Sequence, residues 1–227
     1  MQWDDEGYLI SKNRYNENSI IADIFTKDHG KCSGIIFGAT SLKIKNFLQI
    51  GNKLFVNSNF KIEGKIGYFK VEILKANSAL YFDNKKKLLA LVSAMNLLKL
   101  LTADMQANIK IFNLINDFFL LLNDTNWKKK YIFWELKLLE LVGYNLNLKK
   151  IVSSEFINNE KKFFVKSNYE KKYVPNFLIE DTDEELNYSN LFNGLKLVGD
   201  FLDKNILKPN NINYPVSRLD FVKSFKK

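Results

Sequence analysis

The chain has 227 residues and a mass of 26.5 kDa, enough for one large or two small domains with real cores. Its 46% hydrophobic and 14% aromatic content exclude a disordered chain, and one cysteine, Cys32, excludes an internal disulfide or a cysteine-built metal cage. The net charge of +9 favours an anionic partner, and no apolar run is long enough to span a bilayer, because Ser93, Asn96 and Lys99 interrupt Leu88 to Leu101.

The opening MQWDDEGY begins with acids and has no charged-then-apolar signal segment, so a cytoplasmic, nucleoid-associated location is expected. The charge excess is +3 over residues 1–80, +5 over 81–150 and +1 over 151–227, so the first two thirds carry the bias. Only Arg14 and Arg218 are arginines, so most cationic contacts would lack a bidentate fork.

Residues 7–75 read as all-β. Gly7–Arg14, Ser19–Lys27, Gly30–Phe37, Lys53–Ile62 and Gly67–Leu74 are rich in Ile, Val, Phe and Tyr, with turn signals between them at 16–18, 28–30, 50–52 and 63–65. Leu54, Val56, Phe60 and Ile62 take one face of their strand and Phe55, Asn57, Asn59 and Lys61 the other. Phe69, Val71 and Ile73 likewise oppose Lys70 and Glu72. Five short strands suggest a small closed barrel of the oligonucleotide-binding (OB) type, with a five-stranded sheet packed on another element as the alternative. The third strand breaks at Gly38, and after a Thr-Ser turn Lys43 and Lys45 alternate with Leu42, Ile44 and Phe47. This reads as a basic exit loop able to follow phosphates.

Near residues 78–84 the period changes from two to about three and a half, which places the domain boundary there: an OB-type domain over 1–80 and an all-α domain over 81–227. Helices are expected from Asn84 to Ala103, over Ile109 to Phe119, from Trp127 to Val142 before Gly143, from Asn190 to Ile206, and over Val216 to Phe225. Lys128, Lys129 and Lys130 open the third helix, where the dipole disfavours cations. Residues 151–187 are polar, with a possible hairpin from Lys161–Val165 and Lys172–Leu178, and Asp181 to Glu185 reads as a solvated turn or helix start.

Nothing in the sequence assembles a catalyst. His29 reads as an ordinary exposed turn residue, and Cys32 three positions later points to another face. The pairs Asp4-Asp5 and Asp181/Asp183 read as lying in polar, unstructured contexts, and no phosphate-cradling or nucleophile-elbow motif occurs. Glu135, inside the apolar Phe133-Trp134-Glu135-Leu136, calls for an ion pair or cap. No cofactor, metal or catalytic residue is expected.

Certain residues carry a family resemblance. Trp3 with Gly7, Glu17-x-Ser19, Phe25-Thr26 with Gly30, Phe37-Gly38-Ala39 and Leu48-Gln49 follow in order, then Trp134-Glu135-Leu136, Leu138-Leu139, Gly143-Tyr144, Leu146 and Leu148. This pattern resembles the RecO recombination-mediator family over residues 1–148. The resemblance implies a DNA-repair mediator without covalent chemistry, built as an OB barrel followed by a helical domain. It implies binding of single- and double-stranded DNA, annealing of complementary strands, and work with a RecR partner to load the RecA recombinase. The DNA concerned is coated by single-strand-binding protein, whose acidic C-terminal tail some members capture. Metal-binding members place a cysteine where this chain has Ile151, so a metal-free loop or hairpin is implied over 151–187. Relatives often carry arginine at the position of Phe133, so tail capture here would fall to Lys128, Lys129, Lys130 or Lys137 around Phe133. The expected DNA contacts are Arg14, Lys31, Lys43, Lys45, Lys53 and Lys70, with Phe37 or Phe55 as stacking platforms. The alternative is a protein adaptor binding a peptide around Trp127, Phe133 and Leu136.

Overall fold

A computed structural model describes residues 2–59, 66–167, 170–180 and 187–225. Five strands come first: β1 (Gln2–Arg14), β2 (Ser19–Thr26), β3 (Gly30–Phe37), β4 (Lys53–Asn59) and β5 (Gly67–Lys75). They pair in a closed cycle, β1-β2-β3-β5-β4, with β3 and β5 parallel and every other pair antiparallel. This is the OB-type barrel that the strand spacing suggested. β1 is long because it serves two partners: residues 2–8 pair with β4 and residues 7–14 with β2, with a register shift between Leu9 and Ser11. Leu9, Ile24, Ile36, Leu54, Val56 and Phe69 fill the interior. The expected continuation of β4 through Phe60 and Ile62, and the turn at 63–65, lie outside the described residues.

The segment after β3 departs from the alternating loop. Gly38, at φ 69°, turns the chain, and residues 42–47 then form a short helix, α1 (Leu42–Phe47), whose Ser41 cap accepts a hydrogen bond from the Ile44 N–H at 3.4 Å. The spacing that decides this is Ile44 and Phe47, three apart, which both pack against the barrel core while Leu42 is left 80% exposed.

Helices α2 (Lys85–Leu101) and α3 (Ile109–Leu121) belong with the barrel, since the compact unit that holds it spans Met1–Asn123 and Pro215–Arg218. The change of period near 78–84 ends the barrel strands, whereas this unit continues through α3. α2 packs on β1, and Tyr8 of β1 meets the rings of Phe112 and Phe119 at 5.6 and 5.4 Å. A polar cluster fixes α2 to the barrel: the Lys99 ammonium pairs with Asp23 at 2.9 Å and donates to Ser11 Oγ at 2.8 Å, and Ser33 Oγ donates to Asp23 at 2.7 Å.

The second unit comprises Asp124–Tyr214 and Leu219–Lys227. It contains α4 (Trp127–Leu141), the single turn α5 (Leu148–Ile151), strands β6 (Ser153–Ile157), β7 (Glu160–Ser167) and β8 (Glu170–Val174), and α6 (Tyr188–Leu202). The last helix, α7 (Val216–Lys223), is divided between the two units. The segment expected as a hairpin or loop is a three-stranded antiparallel sheet in the order β6-β7-β8. Its first turn is Asn158-Asn159, both left-handed at φ 50° and 62°, the conformation a two-residue hairpin loop requires. Past Val174, Pro175 ends the strand and a 3₁₀ turn follows at Asn176–Leu178, so the expected strand to Leu178 stops short. The helix expected from Asn190 to Ile206 starts at Tyr188, capped by Asn187, and ends at Leu202 in a π-helical turn over Asp203–Leu207. Asp181 to Glu185 lie outside the described residues.

Candidate nucleic-acid interface

The outer wall of the barrel is built by strand alternation. In β3, Cys32 and Ile36 turn into the core, so the opposite set ends outward on Phe37, 58% exposed. The parallel pairing of Ile35 with Tyr68 then places the Tyr68 ring 6.2 Å from that of Phe37, tilted by 55°. Two residues along β5 on the same face stands exposed Lys70, paired across β4 with Asn57, and Phe55 follows two residues further along β4. Phe37, Tyr68, Lys70 and Phe55 thus form one outward stripe, interleaving π-faces with a cation. Tyr68 was missing from the expected set. Its outward position was readable from the alternation, but its partner was not, because a parallel pairing leaves no local trace.

Cations gather beside the stripe. The turn between β1 and β2 is tied to the turn after Gly38: the Ala39 N–H donates to the Asn18 carbonyl at 3.1 Å, and the Thr40 hydroxyl donates to the Asn18 side chain. Exposed Arg14 and Tyr15 are thereby held near the exit of β3, the Arg14 Nε donating to the Asn16 carbonyl at 3.3 Å. Lys43 and Lys45 on α1 are exposed and form no ion pair among the described residues. Lys12 is exposed overall, but its ammonium folds back to donate to the Leu48 carbonyl at 2.5 Å. Burial first, and then the charge of Lys45, hold its pKa below the ordinary lysine value.

Two of the expected contacts are occupied within the protein. Lys31 pairs with Asp104 at 3.2 Å and donates to the Lys99 carbonyl at 2.8 Å, with its side chain only 13% exposed. Lys53 pairs with Glu6 at 3.0 Å and lies over the rings of Tyr8 and Phe112. Lys31 ties β3 to α2 and the segment after it, Lys53 ties β4 to β1, and neither ammonium is free for the outward stripe.

The residues expected to meet a partner peptide lie on α4. Lys130 is bound to Asp124, Lys137 pairs with Glu140 at 2.9 Å, and Lys128 sits over the Tyr188 ring at 4.7 Å. Lys129 is half-buried, and Phe133, 38% exposed, meets Phe177 edge-on at 6.2 Å. Trp127 is only 7% exposed and packs on Phe221, which removes it from the surface of the adaptor alternative.

The chemistry near His29 corrects the view of an ordinary turn residue. Its ring stacks on Trp3 at 4.1 Å and its Nδ1 bonds to Asp5 at 2.9 Å. Asp5 is buried in β1, not in an unstructured context, and also accepts the Asp28 N–H at 2.9 Å and the Glu6 N–H at 2.7 Å. Burial alone would raise its pKa, but the bonds from His29 and the two amides outweigh this and hold it below the ordinary carboxylate value. Cys32 is buried, which pushes its thiol up to about 11, so it is protonated near neutral pH. Among the described residues no three of His, Cys, Asp and Glu gather as a metal site, and no helix is long and apolar enough to cross a membrane.

Comparison with known proteins gives a consistent result across the chain. Residues 1–77 match the family model described as recombination protein O N terminal, and residues 84–202 match recombination protein O C terminal. A DNA repair protein RecO of a Wolbachia strain from Culex pipiens is 27% identical over 244 residues, covering all of both chains. One from Rhodospirillum centenum is 23% identical over all of this chain and 96% of its own. One from Roseobacter denitrificans reaches 32% over 65% of this chain and 62% of its own.

Proposed function

Because the chain belongs to the recombination protein O family, we propose that it serves DNA repair as a recombination mediator that binds single- and double-stranded DNA and anneals complementary strands. The observation that carries this reading is the outward stripe of Phe37, Tyr68, Lys70 and Phe55, flanked by Lys43, Lys45 and Arg14. Lysines neutralise phosphates by releasing counterions, and exposed rings offer bases a platform tolerant of sequence. Annealing then requires that two strands be held with their mutual repulsion reduced, and no bond is made or broken by the protein. In this reading the OB domain over 1–80 supplies the DNA contacts and the remainder of the chain supplies partner contacts. RecR joins it on DNA, RecA is loaded as the outcome, and the acidic tail of single-strand-binding protein docks around Phe133. The ion pairs of Lys130 and Lys137 there are exposed, and such pairs exchange readily for a new carboxylate.

The test is annealing of complementary oligonucleotides by the wild type and by a Lys43→Glu/Lys45→Glu variant. The expected outcome is salt-dependent annealing that slows at least tenfold in the variant, given the loss of two phosphate contacts and the gain of two repulsive charges. Annealing by the variant at the wild-type rate would remove α1 from the interface.

A further inference from the structure

The barrel returns to its first strand, so the sheet β6-β7-β8 is the one that ends in two terminal strands among the described residues. Its two edges differ in composition. β8 carries exposed Lys171 and Lys172 and stops at Pro175, and lysine or proline on an edge discourages a further strand. β6 reads Ser153-Ser154-Glu155-Phe156-Ile157, with no lysine, arginine or proline, and its register with β7 runs unbroken from Ser153 opposite Phe164 to Ile157 opposite Glu160. All of these residues but Glu155 are exposed, Phe156 at 75%. The one charge of the strand is met inside the sheet: Glu155 pairs with Lys171 at 2.5 Å and accepts from the Tyr173 hydroxyl at 3.0 Å.

We propose that β6 is an interface between two copies of this chain, which pair antiparallel along it about a two-fold axis and join two three-stranded sheets into one of six. The hairpin decides which groups are offered. Its two-residue loop closes on Ile157 and Glu160, so by alternation Ser153, Glu155 and Ile157 bond to β7, while Ser154 and Phe156 direct their N–H and C=O outward. Cross-strand chemistry then decides the register. An axis through Glu155 would set two carboxylates opposite each other. An axis through Phe156 sets the two rings side by side, exchanges two backbone hydrogen bonds between them, and places Glu155 opposite the partner's Ile157, which favours it on every count. A second copy suits this edge because the strand complements itself under that operator and brings no unmet charge with it. The area is small and each copy carries +9, so the dimer is weak, with a dissociation constant on the order of 10–100 μM, and salt strengthens it by screening the repulsion. Phosphate contacts respond to salt in the opposite sense. This inference does not rest on DNA binding by the barrel.

The test is sedimentation equilibrium of the full chain without nucleic acid, at low and at high salt and up to a few hundred micromolar. A monomer–dimer equilibrium that tightens with salt is expected. Phe156→Pro removes the ring and the outward N–H of each copy without touching the β7 ladder, and is expected to weaken the dimer at least tenfold. Ser154→Lys, which gives β6 the edge lysine that β8 already has, is expected to weaken it several-fold. Leu42→Lys, at an exposed apolar residue of the barrel, is expected to leave it unchanged. Thermal unfolding of each variant is expected to stay near that of the wild type, which separates lost pairing from lost folding. A wild type that stays monomeric over this range, or a dimer that loosens with salt, would overturn the proposal. So would a dimer that both β6 variants leave intact, or one that Leu42→Lys abolishes, since association would then run through another surface.

Discussion

Tyr68 joins the two halves of the barrel's outward stripe, with Phe37 on one side and Lys70 on the other. Its replacement by alanine is expected to weaken binding of a single-stranded oligonucleotide by about 1–3 kcal/mol, while Tyr68→Phe, which keeps the ring, holds most of the affinity. Anisotropy titrations of both variants check this. The carboxylates of Asp5 and Asp23 make a different statement, about stability. For each, burial would raise the pKa, but hydrogen bonds outweigh it, from His29 and two amides to Asp5, and from Ser33 and Lys99 to Asp23. Because both are lowered in the folded state, their stabilisation is complete above the unfolded value of about 3.9 and is lost as pH falls through the folded values. Denaturant midpoints measured from about pH 6 down to 2 should therefore drop on the acid side, and Asp5→Asn and Asp23→Asn should each flatten that limb.

At the scale of elements, the sequence was most legible where one pattern ran unopposed. Gly30–Phe37 was read to the residue, and the alternation of β4 is reproduced as Leu54, Val56 and Ser58 inside with Phe55, Asn57 and Asn59 outside. It was least legible where a segment is too short for its period to declare itself. In Leu42–Phe47 basic and apolar residues alternate as in a strand, and only the contacts of Ile44 and Phe47 with the core decide for a helix. In 153–174 the strands were obscured by lysines that alternate faces without an apolar contrast, although the Asn158-Asn159 pair was a usable hairpin signal. That turn gives a direct test. Asn159→Gly is expected to raise the melting temperature slightly, since glycine adopts φ 62° without a Cβ penalty. Asn159→Val is expected to destabilise by about 1–2 kcal/mol, as read by thermal unfolding.

For the molecule as a whole, the net charge of +9 overstates the charge available to a ligand, because many lysines already have partners. Arg14, Lys43, Lys45 and Lys70 remain exposed on the barrel. Four such contacts give an expected slope of log affinity against log salt of about −3 on single strands. Lys53→Ala should leave that slope unchanged and lower the melting temperature, because its ammonium faces Glu6, Tyr8 and Phe112 instead of solvent. Titrations over a range of salt separate the two kinds of lysine, which composition alone could not distinguish. The family resemblance was legible for a related reason. It rests on glycines, aromatics and core leucines whose roles are geometric, and these are the positions that the barrel and α4 place at turns and in contacts.

The barrel is closed by a short seam. β3 and β5 meet through two register pairs, Gly34 with Gly67 and Ile35 with Tyr68, whereas their neighbours pair over seven or eight positions. A parallel pairing between strands this far apart in sequence forms late in folding and opens early, because its loop entropy is offset by few bonds. The same two pairs bring Tyr68 to Phe37, so the surface exists only while the seam is shut. Ligand and barrel closure are thermodynamically linked: whatever spans Phe37 and Tyr68 clasps the cylinder, and amide hydrogen exchange along Ile35 and Tyr68 slows in proportion to how tightly it is held.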